Sequence, residues 1–322
     1  MAVRAQVGTS KPAGLAGTIR TKMARLARVV RTDYDLYLML VPGLVLILLF
    51  HYLPMYGASI AFKDFNLMKG IIGSPWVGLK HFEALFQARE FNRILRNTIL
   101  ISVYRLVFQF PLPIILALLI NEVRHAFFKR TVQTLTYLPH FLSWVIVGSL
   151  VIELLSPRSG LVNDALAVAG LGPVTLMDKN LFPGILVASQ TWKEVGWSAI
   201  VYLAAVTGIS PQLYEAAIVD GANKWQQVRH ITLPGIQSTI VFILLLRISA
   251  LMVTDVEQVL MLYNPLVYET GDVIGTFVYR VGLGQMKYSF TAAVGLFQSV
   301  IGFVLLVVAN SLSRKYAETG MW

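Results

Sequence analysis

Several polar side chains stand inside long apolar stretches of this sequence, where ionisable groups are costly and are candidates for function. Gln190, Glu194 and Trp197 recur at the i, i+4 and i+7 spacing of one helix face, and Lys193 borders that face. Their side chains supply hydrogen bonds and an aromatic platform. We expect this face to line the path of a polar solute. Pairing of the same groups with neighbouring helices is the alternative.

A second polar set comprises Arg247, Gln109 and Gln298, each within a different apolar stretch. If the solute is anionic, the planar guanidinium of Arg247 suits its carboxylate. A buried ion pair between Arg247 and Glu194 is the alternative. Arg105 lies nearer the end of its stretch, and we expect its long side chain to snorkel to the outer surface.

The sequence offers no pattern for covalent chemistry. No Gly-x-x-x-x-Gly-Lys-Ser/Thr phosphate cradle occurs, so we expect no ATP hydrolysis by this chain alone. There are no cysteines, and the five histidines lack the spacing of metal ligands: His51, His81, His125, His140 and His230. We therefore expect no catalytic residue, no bound metal and no cofactor on this chain.

The elements that must position these residues are membrane-spanning helices. Of 322 residues, 56% are apolar and 14% are charged, and the mean hydropathy is +0.65, whereas soluble domains carry about a quarter charged residues. Apolar runs of about 20 residues, the length that crosses a bilayer, recur along the chain. The sequence predicts an all-α membrane protein with six spans: Leu36–Ile60, Thr98–Ile120, Leu135–Leu154, Leu181–Val206, Ser238–Val253 and Phe290–Leu312.

The net charge of +10 is unevenly distributed, because seven of the 27 basic residues precede residue 34. That placement is typical of a cytoplasmic flank and puts both ends of a six-span chain in the cytoplasm. We expect residues 1–33 to form a basic segment with a helix, over about residues 19–31, on anionic membrane lipid. A disordered basic tail is the alternative for residues 1–18. Residues 34–322 then form the membrane domain, and no nucleic-acid partner is indicated.

The loop after the fourth span has the local signals of a helix–turn–helix. Ser210 is a good N-cap and Pro211 a good first helical residue. Gly221 can take a positive φ and end that helix in a tight turn. A second short helix, over residues 224–231, must stop before Pro234. Six spans place this loop on the inner face of the membrane.

The same loop carries a spaced pattern: Glu215-Ala216-Ala217, three residues, Gly221, nine residues, Ile231-x-Leu233-Pro234. The pattern resembles the cytoplasmic signature of permease subunits from binding-protein-dependent ATP-binding-cassette (ABC) importers. The resemblance implies the type I ABC importer permease fold, with ATP and Mg bound by partner ATPase subunits. It also implies that the coupling loop, residues 210–234, docks on the ATPase through Glu215, Ala216, Ala217, Asp220, Gly221, Ile231, Leu233 and Pro234.

Further motifs resemble the carbohydrate-uptake branch of that family, and most closely the permeases for complex oligosaccharides and polysaccharides, which include the bacterial alginate importer. The segments that carry this likeness are 37–43, 54–57, 61–64, 77–82, 263–270, 279–283 and 309–322. The resemblance implies half of a translocation path for a saccharide in a bacterial cytoplasmic membrane. It also implies a second permease subunit, an ATPase dimer and a soluble solute-binding protein as partners.

Other classes of protein fit the sequence less well. An ion-coupled secondary transporter would favour inverted repeats and a carboxylate coupling site, and no clear repeat is visible. A membrane anchor explains neither the coupling loop nor the charges within the spans. An ABC permease for a non-sugar substrate keeps the loop and changes only the cargo. The long outer loops, about residues 61–97 and 254–289, are candidates for docking the binding protein.

Overall fold

The computed structural model describes residues 32–317, so the predicted surface helix and most of the basic N-terminal segment lie outside the described residues. The regular secondary structure of the described part is helical apart from two isolated bridges, Lys63–Trp76 and Asn66–Gly70. This confirms the all-α prediction. The chain divides into two compact units, Met1–Ser59 and Ile60–Trp322. The predicted boundary at residue 33 stays a prediction.

The first unit contains one long apolar helical run. Helix α1, Tyr34–Ile47, includes Pro42 and passes through a π-helical turn at Leu48–Tyr52 into a short helix, Leu53–Met55. A wide turn accommodates a residue that lacks an N–H, here Pro54. With the 3₁₀ turn that follows, the run Tyr34–Phe62 is 29 residues long and apolar enough to cross a membrane.

The second unit is built from helices joined by short turns. Their bounds are α2 Lys80–Gln87, α3 Arg89–Tyr104, α4 Pro111–Glu122, α5 Ala126–Tyr137, α6 Trp144–Leu154, α7 Leu161–Val168, α8 Phe182–Thr207, α9 Pro211–Val219, α10 Lys224–Gln227, α11 Gln237–Ser249, α12 Val256–Leu262, α13 Ile274–Val278 and α14 Tyr288–Ala317. Two π-helical turns, Arg105–Gln109 and Val228–Thr232, interrupt longer helical runs, and a third, Tyr279–Leu283, extends α13.

Membrane-spanning candidates in the described part are fewer than the six predicted. Three helical runs are long and apolar enough, namely Tyr34–Phe62, Arg89–Glu122 and Tyr288–Lys315, and two bent pairs raise the number to five. Helix α8 has 26 residues and a length of about 39 Å, yet it carries too much polarity to be counted with them. A six-span count therefore stays a prediction.

The third predicted span, Leu135–Leu154, is wrong as a single helix. Helix α5 and a 3₁₀ turn at Leu138–Phe141 meet α6 at a bend of 105°. The break has a local cause, because Pro139 lacks an N–H for the helical ladder and Ser143 caps a new helix by accepting a hydrogen bond from the Ile146 N–H.

The fifth predicted span, Ser238–Val253, also differs from the structure. Helix α11 ends at Ser249 and meets the preceding run, Lys224–Gly235, at a bend of 61°. Thirteen residues rise only about 20 Å, which is short of the hydrocarbon thickness of about 30 Å. The bent pair must act together if this segment crosses the membrane.

Buried apolar side chains join α8 to its neighbours. On one side Phe182 and Leu186 pack against Ile101 of α3 and Val259 of α12. On the other side α8 meets α4 through a contact that includes Ala117, Ala199 and Tyr202, and small residues there allow close approach of the helices. A separate cluster joins α2, α3, α13 and α14 through Leu85, Phe91, Ile274 and Val294. Helix α8 is thus the central element that positions the polar groups.

Candidate functional site

The coupling loop forms the helix–turn–helix that the sequence predicts. Helix α9 begins at Pro211 directly after Ser210. Gly221 has a φ of +79°, and the N–H of Ala222 donates to the Ala217 carbonyl at 2.8 Å. This is the left-handed turn that ends many helices, and glycine adopts it without steric cost.

The second half of the coupling loop continues further than predicted. Asn223 caps α10 in a reciprocal capping box with Gln226. The helix then passes through the π-helical turn and includes Pro234, so the expected stop before Pro234 is wrong. In the wide turn the Leu233 N–H bonds five residues back, to the Val228 carbonyl, and Pro234 begins the next turn, where no N–H is required.

Polar contacts hold the two halves of the coupling loop together. The Tyr214 hydroxyl and the Thr232 hydroxyl are 3.0 Å apart, and the Gln227 amide donates to the Ala222 carbonyl at 3.1 Å. Lys224 forms a 3.0 Å ion pair with Glu122 at the end of α4. The loop is therefore linked directly to a helix of the bundle.

The coupling loop exposes several large apolar side chains among charged and polar ones. Leu213, Ile218, Val219 and Trp225 are all exposed, Trp225 by 70%. Large apolar side chains that are exposed and surrounded by polar residues are typical of a protein interface. Of the residues predicted to dock on the ATPase, some are exposed (Glu215, Ala216, Asp220, Gly221, Pro234) and the others are half-buried (Ala217, Ile231, Leu233).

Lys193 is buried and binds the break between α5 and α6. Its ammonium donates to the carbonyls of His140 at 2.6 Å and Leu142 at 2.8 Å, and lies 3.5 Å from that of Pro139. A broken helix leaves carbonyls without intrahelical partners, and a cation satisfies them well. Lys193 is thus paired with a neighbouring segment of the bundle, which was the predicted alternative to lining the solute path.

Glu194 and Trp197 contact the same break. The Glu194 carboxylate is 2.9 Å from Nδ1 of His140. The His140 ring stacks on the Trp197 indole with 4.5 Å between centroids and 1° between planes, and Phe141 meets the indole edge-on at 5.5 Å. Sequence reasoning assigned His140 no role, because its partners lie about 54 residues further along the chain.

A cavity of about 370 Å³ lies between α3, α4, α8 and α11. Three of the residues predicted for the solute path line it: Gln109, Trp197 and Arg247. Tyr202 and Arg105 line it as well. Glu194 contacts His140 and Lys193 rather than Arg247, so the predicted alternative of an Arg247–Glu194 ion pair is not what the structure shows.

Two other predicted path residues lie elsewhere. Gln298 donates from its amide to the Met252 carbonyl at 2.7 Å and so ties α14 to the segment after α11. The side-chain amide oxygen of Gln190 is buried and has no hydrogen-bond partner. Neither side chain, nor Lys193, nor Glu194, lines the cavity. Their part in a solute path stays a prediction.

Arg105 does not snorkel to the surface as expected. Its guanidinium donates to the side-chain oxygen of Gln258 at 2.6 Å, and its Nε is buried without a partner. Gln258 is fully buried and donates in turn to the Leu186 carbonyl and the Ser189 hydroxyl. The signal that could have placed Arg105 in the cavity is its i, i+4 spacing to Gln109.

Acidic residues of the loop over about residues 254–289, which is predicted to lie outside, mostly have partners within the chain. Asp272 is fully buried and accepts hydrogen bonds from Arg280 at 2.7 Å and Thr276 at 2.8 Å. Glu269 pairs with Lys179 at 2.7 Å, and this hydrogen bond lowers the pKa of Glu269 and raises the pKa of Lys179. These charges hold the loop in place, and a docking role for the loop stays a prediction.

The described residues contain no group of three or more His, Cys, Asp or Glu side chains placed to hold a metal ion. The polar groups of the cavity are guanidinium, amide, hydroxyl and indole. Such groups bind a polar or anionic solute by hydrogen bonds and charge.

Comparison with known proteins identifies the class. Residues 109–318 match the family described as "binding-protein-dependent transport system inner membrane component". The chain therefore belongs to that family, whose members are permease subunits of ABC importers.

Particular relatives are similar over almost the whole chain. It is 45% identical to the polygalacturonan/rhamnogalacturonan transport system permease YteP of Bacillus subtilis (strain 168), and the match covers 92% of each chain. It is 42% identical to the protein LplB of the same organism, over 91% of this chain and 92% of that one. A crystal structure of a bacterial alginate ABC transporter, in complex with an alginate pentasaccharide-bound periplasmic protein, contains a chain of the same fold. The TM-score is 0.83 at 43% identity, with 92% of this chain and 100% of that chain covered.

Proposed function

We propose that this permease subunit forms half of the path by which an acidic oligosaccharide or polysaccharide, such as alginate or a pectin fragment, enters a bacterial cell. A soluble binding protein delivers the saccharide, and a second permease subunit completes the path. A dimer of ATPase subunits hydrolyses ATP with Mg on the cytoplasmic side. The names of the similar proteins support this cargo, because polygalacturonan is a uronic-acid polymer and alginate is an acidic polysaccharide.

The observation that carries the proposal is the composition of the cavity. Two guanidinium groups, of Arg105 and Arg247, line it together with the amide of Gln109 and the rings of Trp197 and Tyr202. A guanidinium can bind a carboxylate through two parallel hydrogen bonds. Amide, hydroxyl and aromatic groups suit the hydroxyls and the C–H face of a pyranose ring. A neutral cargo would leave Arg247 without a matching charge.

The coupling loop transmits the ATPase cycle to this cavity. Its exposed apolar side chains suit a cleft on the ATPase, and Lys224 pairs with Glu122 of α4. The other end of α4 is at the cavity, where Pro113 is part of the lining. Movement of the docked loop therefore reaches the cavity wall through one rigid helix.

Uptake of a labelled oligouronate by the complete complex tests the cargo assignment. Arg247→Gln should lower the uptake rate at saturating loaded binding protein about tenfold or more, because a charge-assisted hydrogen bond is lost. The KM for the loaded binding protein should stay unchanged, since the cavity does not form its docking surface. Arg158→Gln, on the exposed loop between α6 and α7, is the matched control. Equal uptake by Arg247→Gln and the parent complex would overturn the proposal.

A non-sugar cargo is the second candidate. A titration of the cognate binding protein with acidic oligosaccharides, neutral oligosaccharides and short peptides separates the two. Tight binding of peptides alone would favour the second candidate and exclude a saccharide path.

A further inference from the structure

We propose that His140 and Glu194 are positioning residues that fix the plane of the Trp197 indole, so that its open surface stacks on a sugar ring of the cargo. This inference rests on the proposed saccharide path. It adds a role for two residues that do not themselves line the cavity.

The geometry around Trp197 leaves one side open. The His140 imidazole lies parallel to the indole at 4.5 Å and covers one of its faces. Phe141 meets the indole at 81° and covers part of its edge. Trp197 is nevertheless 43% exposed and lines the cavity together with Arg247. The surface that faces the cavity is therefore the one that His140 and Phe141 leave uncovered.

The His140 ring is held by two independent anchors. Its Nδ1 is 2.9 Å from the Glu194 carboxylate, which fixes the rotation of the ring. Its backbone carbonyl accepts a 2.6 Å hydrogen bond from the buried ammonium of Lys193. Both anchors come from α8, and Trp197 follows Glu194 by almost one turn of the same helix. Helix α8 therefore supplies the platform and the groups that orient its backing ring.

The break between α5 and α6 is what brings the imidazole to this place. An unbroken helix through residues 138–143 would satisfy its own carbonyls and leave Lys193 without acceptors. The 105° bend instead directs these carbonyls at α8 and places His140 flat against the indole. The bend therefore positions a residue of the proposed binding site, and it has an identifiable structural cause.

The ligand that fits is a hexuronate ring. One face of a pyranose consists of C–H groups with partial positive charge, which matches the negative face of an aromatic ring. A carboxylate on the same ring would then be in reach of a guanidinium that lines the same cavity, and Arg247 supplies one. Stacking and charge pairing together would hold the ring in one orientation as it passes.

A double-substitution cycle in the complete transport complex tests the proposal. The measured quantity is the oligouronate uptake rate at saturating loaded binding protein. Trp197→Ala should lower this rate about tenfold, because the stacking contact with the sugar ring is lost. His140→Ala should lower it about threefold, because the indole remains but is no longer held in its plane. If His140 acts only through Trp197, His140→Ala should cause no further loss in the Trp197→Ala background.

Conservative variants separate positioning from simple packing. His140→Phe keeps a flat ring against the indole and should recover most of the uptake rate, and Glu194→Gln keeps an acceptor for Nδ1 and should do the same. Glu194→Ala should behave as His140→Ala. Trp192→Ala, an exposed tryptophan on the same helix outside the cavity, is the matched control and should leave the rate unchanged.

The outcomes distinguish this inference from the proposed function. A normal rate for His140→Ala with a strong loss for Trp197→Ala would overturn the positioning role and keep the saccharide path. A normal rate for both Trp197→Ala and Arg247→Gln would overturn the path itself. His140→Ala could instead lower the uptake rate by the same factor in the parent complex and in the Trp197→Ala complex, and also lower the melting temperature. That result would show that His140 serves packing alone.

Discussion

Individual side chains inside this bundle serve two physical needs. Some complete hydrogen bonds that the backbone leaves open, as Lys193 does for the carbonyls of His140 and Leu142. Others present charge or aromatic surface to the cavity, as Arg247 and Trp197 do. An unpaired polar group in a low-dielectric interior costs several kcal/mol, so neither set is interchangeable with apolar residues.

Gly221 permits a direct prediction at the residue scale. Its φ of +79° is unfavourable for a β-branched side chain, although an added Cβ would meet no other atom within 4 Å. Gly221→Val should destabilise the turn by about 1–2 kcal/mol or more and raise the ATP hydrolysed per saccharide transported. Gly221→Asn is the control, because Asn tolerates this conformation. Normal coupling in Gly221→Val would contradict a docking role for this turn.

Some residue roles follow from the sequence and others do not. Pro211 and Gly221 act through their own backbone conformation, and the sequence therefore predicts both correctly. Ser210 stands at the N-cap position as predicted, but its side chain makes no capping hydrogen bond to the backbone. Lys193 and His140 act through groups about 50 residues apart in the chain. No local pattern encodes such a partner, so the sequence could only leave the pairing as an alternative.

At the scale of the elements, α8 determines the arrangement of its neighbours. It packs on α3, α4, α5 and α12 and supplies Lys193, Glu194 and Trp197 from one stretch. Its contact with α5 is close: a Cβ on Gly196 would lie 2.0 Å from the Thr136 carbonyl oxygen. Glycine is required there by packing rather than by backbone conformation.

A pair of glycine substitutions on α8 tests this packing. Gly196→Ala forces α5 and α8 apart against rigid backbone atoms, and we expect a loss of about 1–3 kcal/mol in stability. Gly184→Ala on the same helix meets no atom within 4 Å and should be neutral or stabilise by about 0.5–1 kcal/mol. The measurement is the melting temperature of the purified complex. Similar melting temperatures for the two variants would argue against the close approach.

The break at Pro139 shows why the bounds of some helices were predicted correctly and those of others were not. A proline inside an apolar run is compatible with a kinked span or a broken one. Which of them forms depends on whether another segment satisfies the freed carbonyls, and here Lys193 does so. The continuation past Pro234 has a similar origin, because the π-helical turn before it removes the need for an N–H. Neither compensation is visible from the local sequence.

For the whole molecule, orientation in the membrane is a separate prediction. The basic N-terminal segment predicts that the coupling loop lies in the cytoplasm. Because the chain has no cysteine, single cysteines report on sidedness without background. With a membrane-impermeant maleimide on right-side-out vesicles, Ser159→Cys on the outer loop should react at once, and Gln212→Cys on α9 only after permeabilisation. The reverse pattern would contradict the assigned orientation.

The central claim concerns the division of labour among subunits: this chain provides half of a path and a docking loop, and other chains provide ATP hydrolysis and capture of the saccharide. The most direct test is uptake of a labelled oligouronate into proteoliposomes that contain both permeases and the ATPase, with the binding protein outside. We predict uptake only when ATP and Mg are enclosed and the loaded binding protein is present. Uptake by the permeases alone, driven by a proton or sodium gradient without ATPase, would contradict the account.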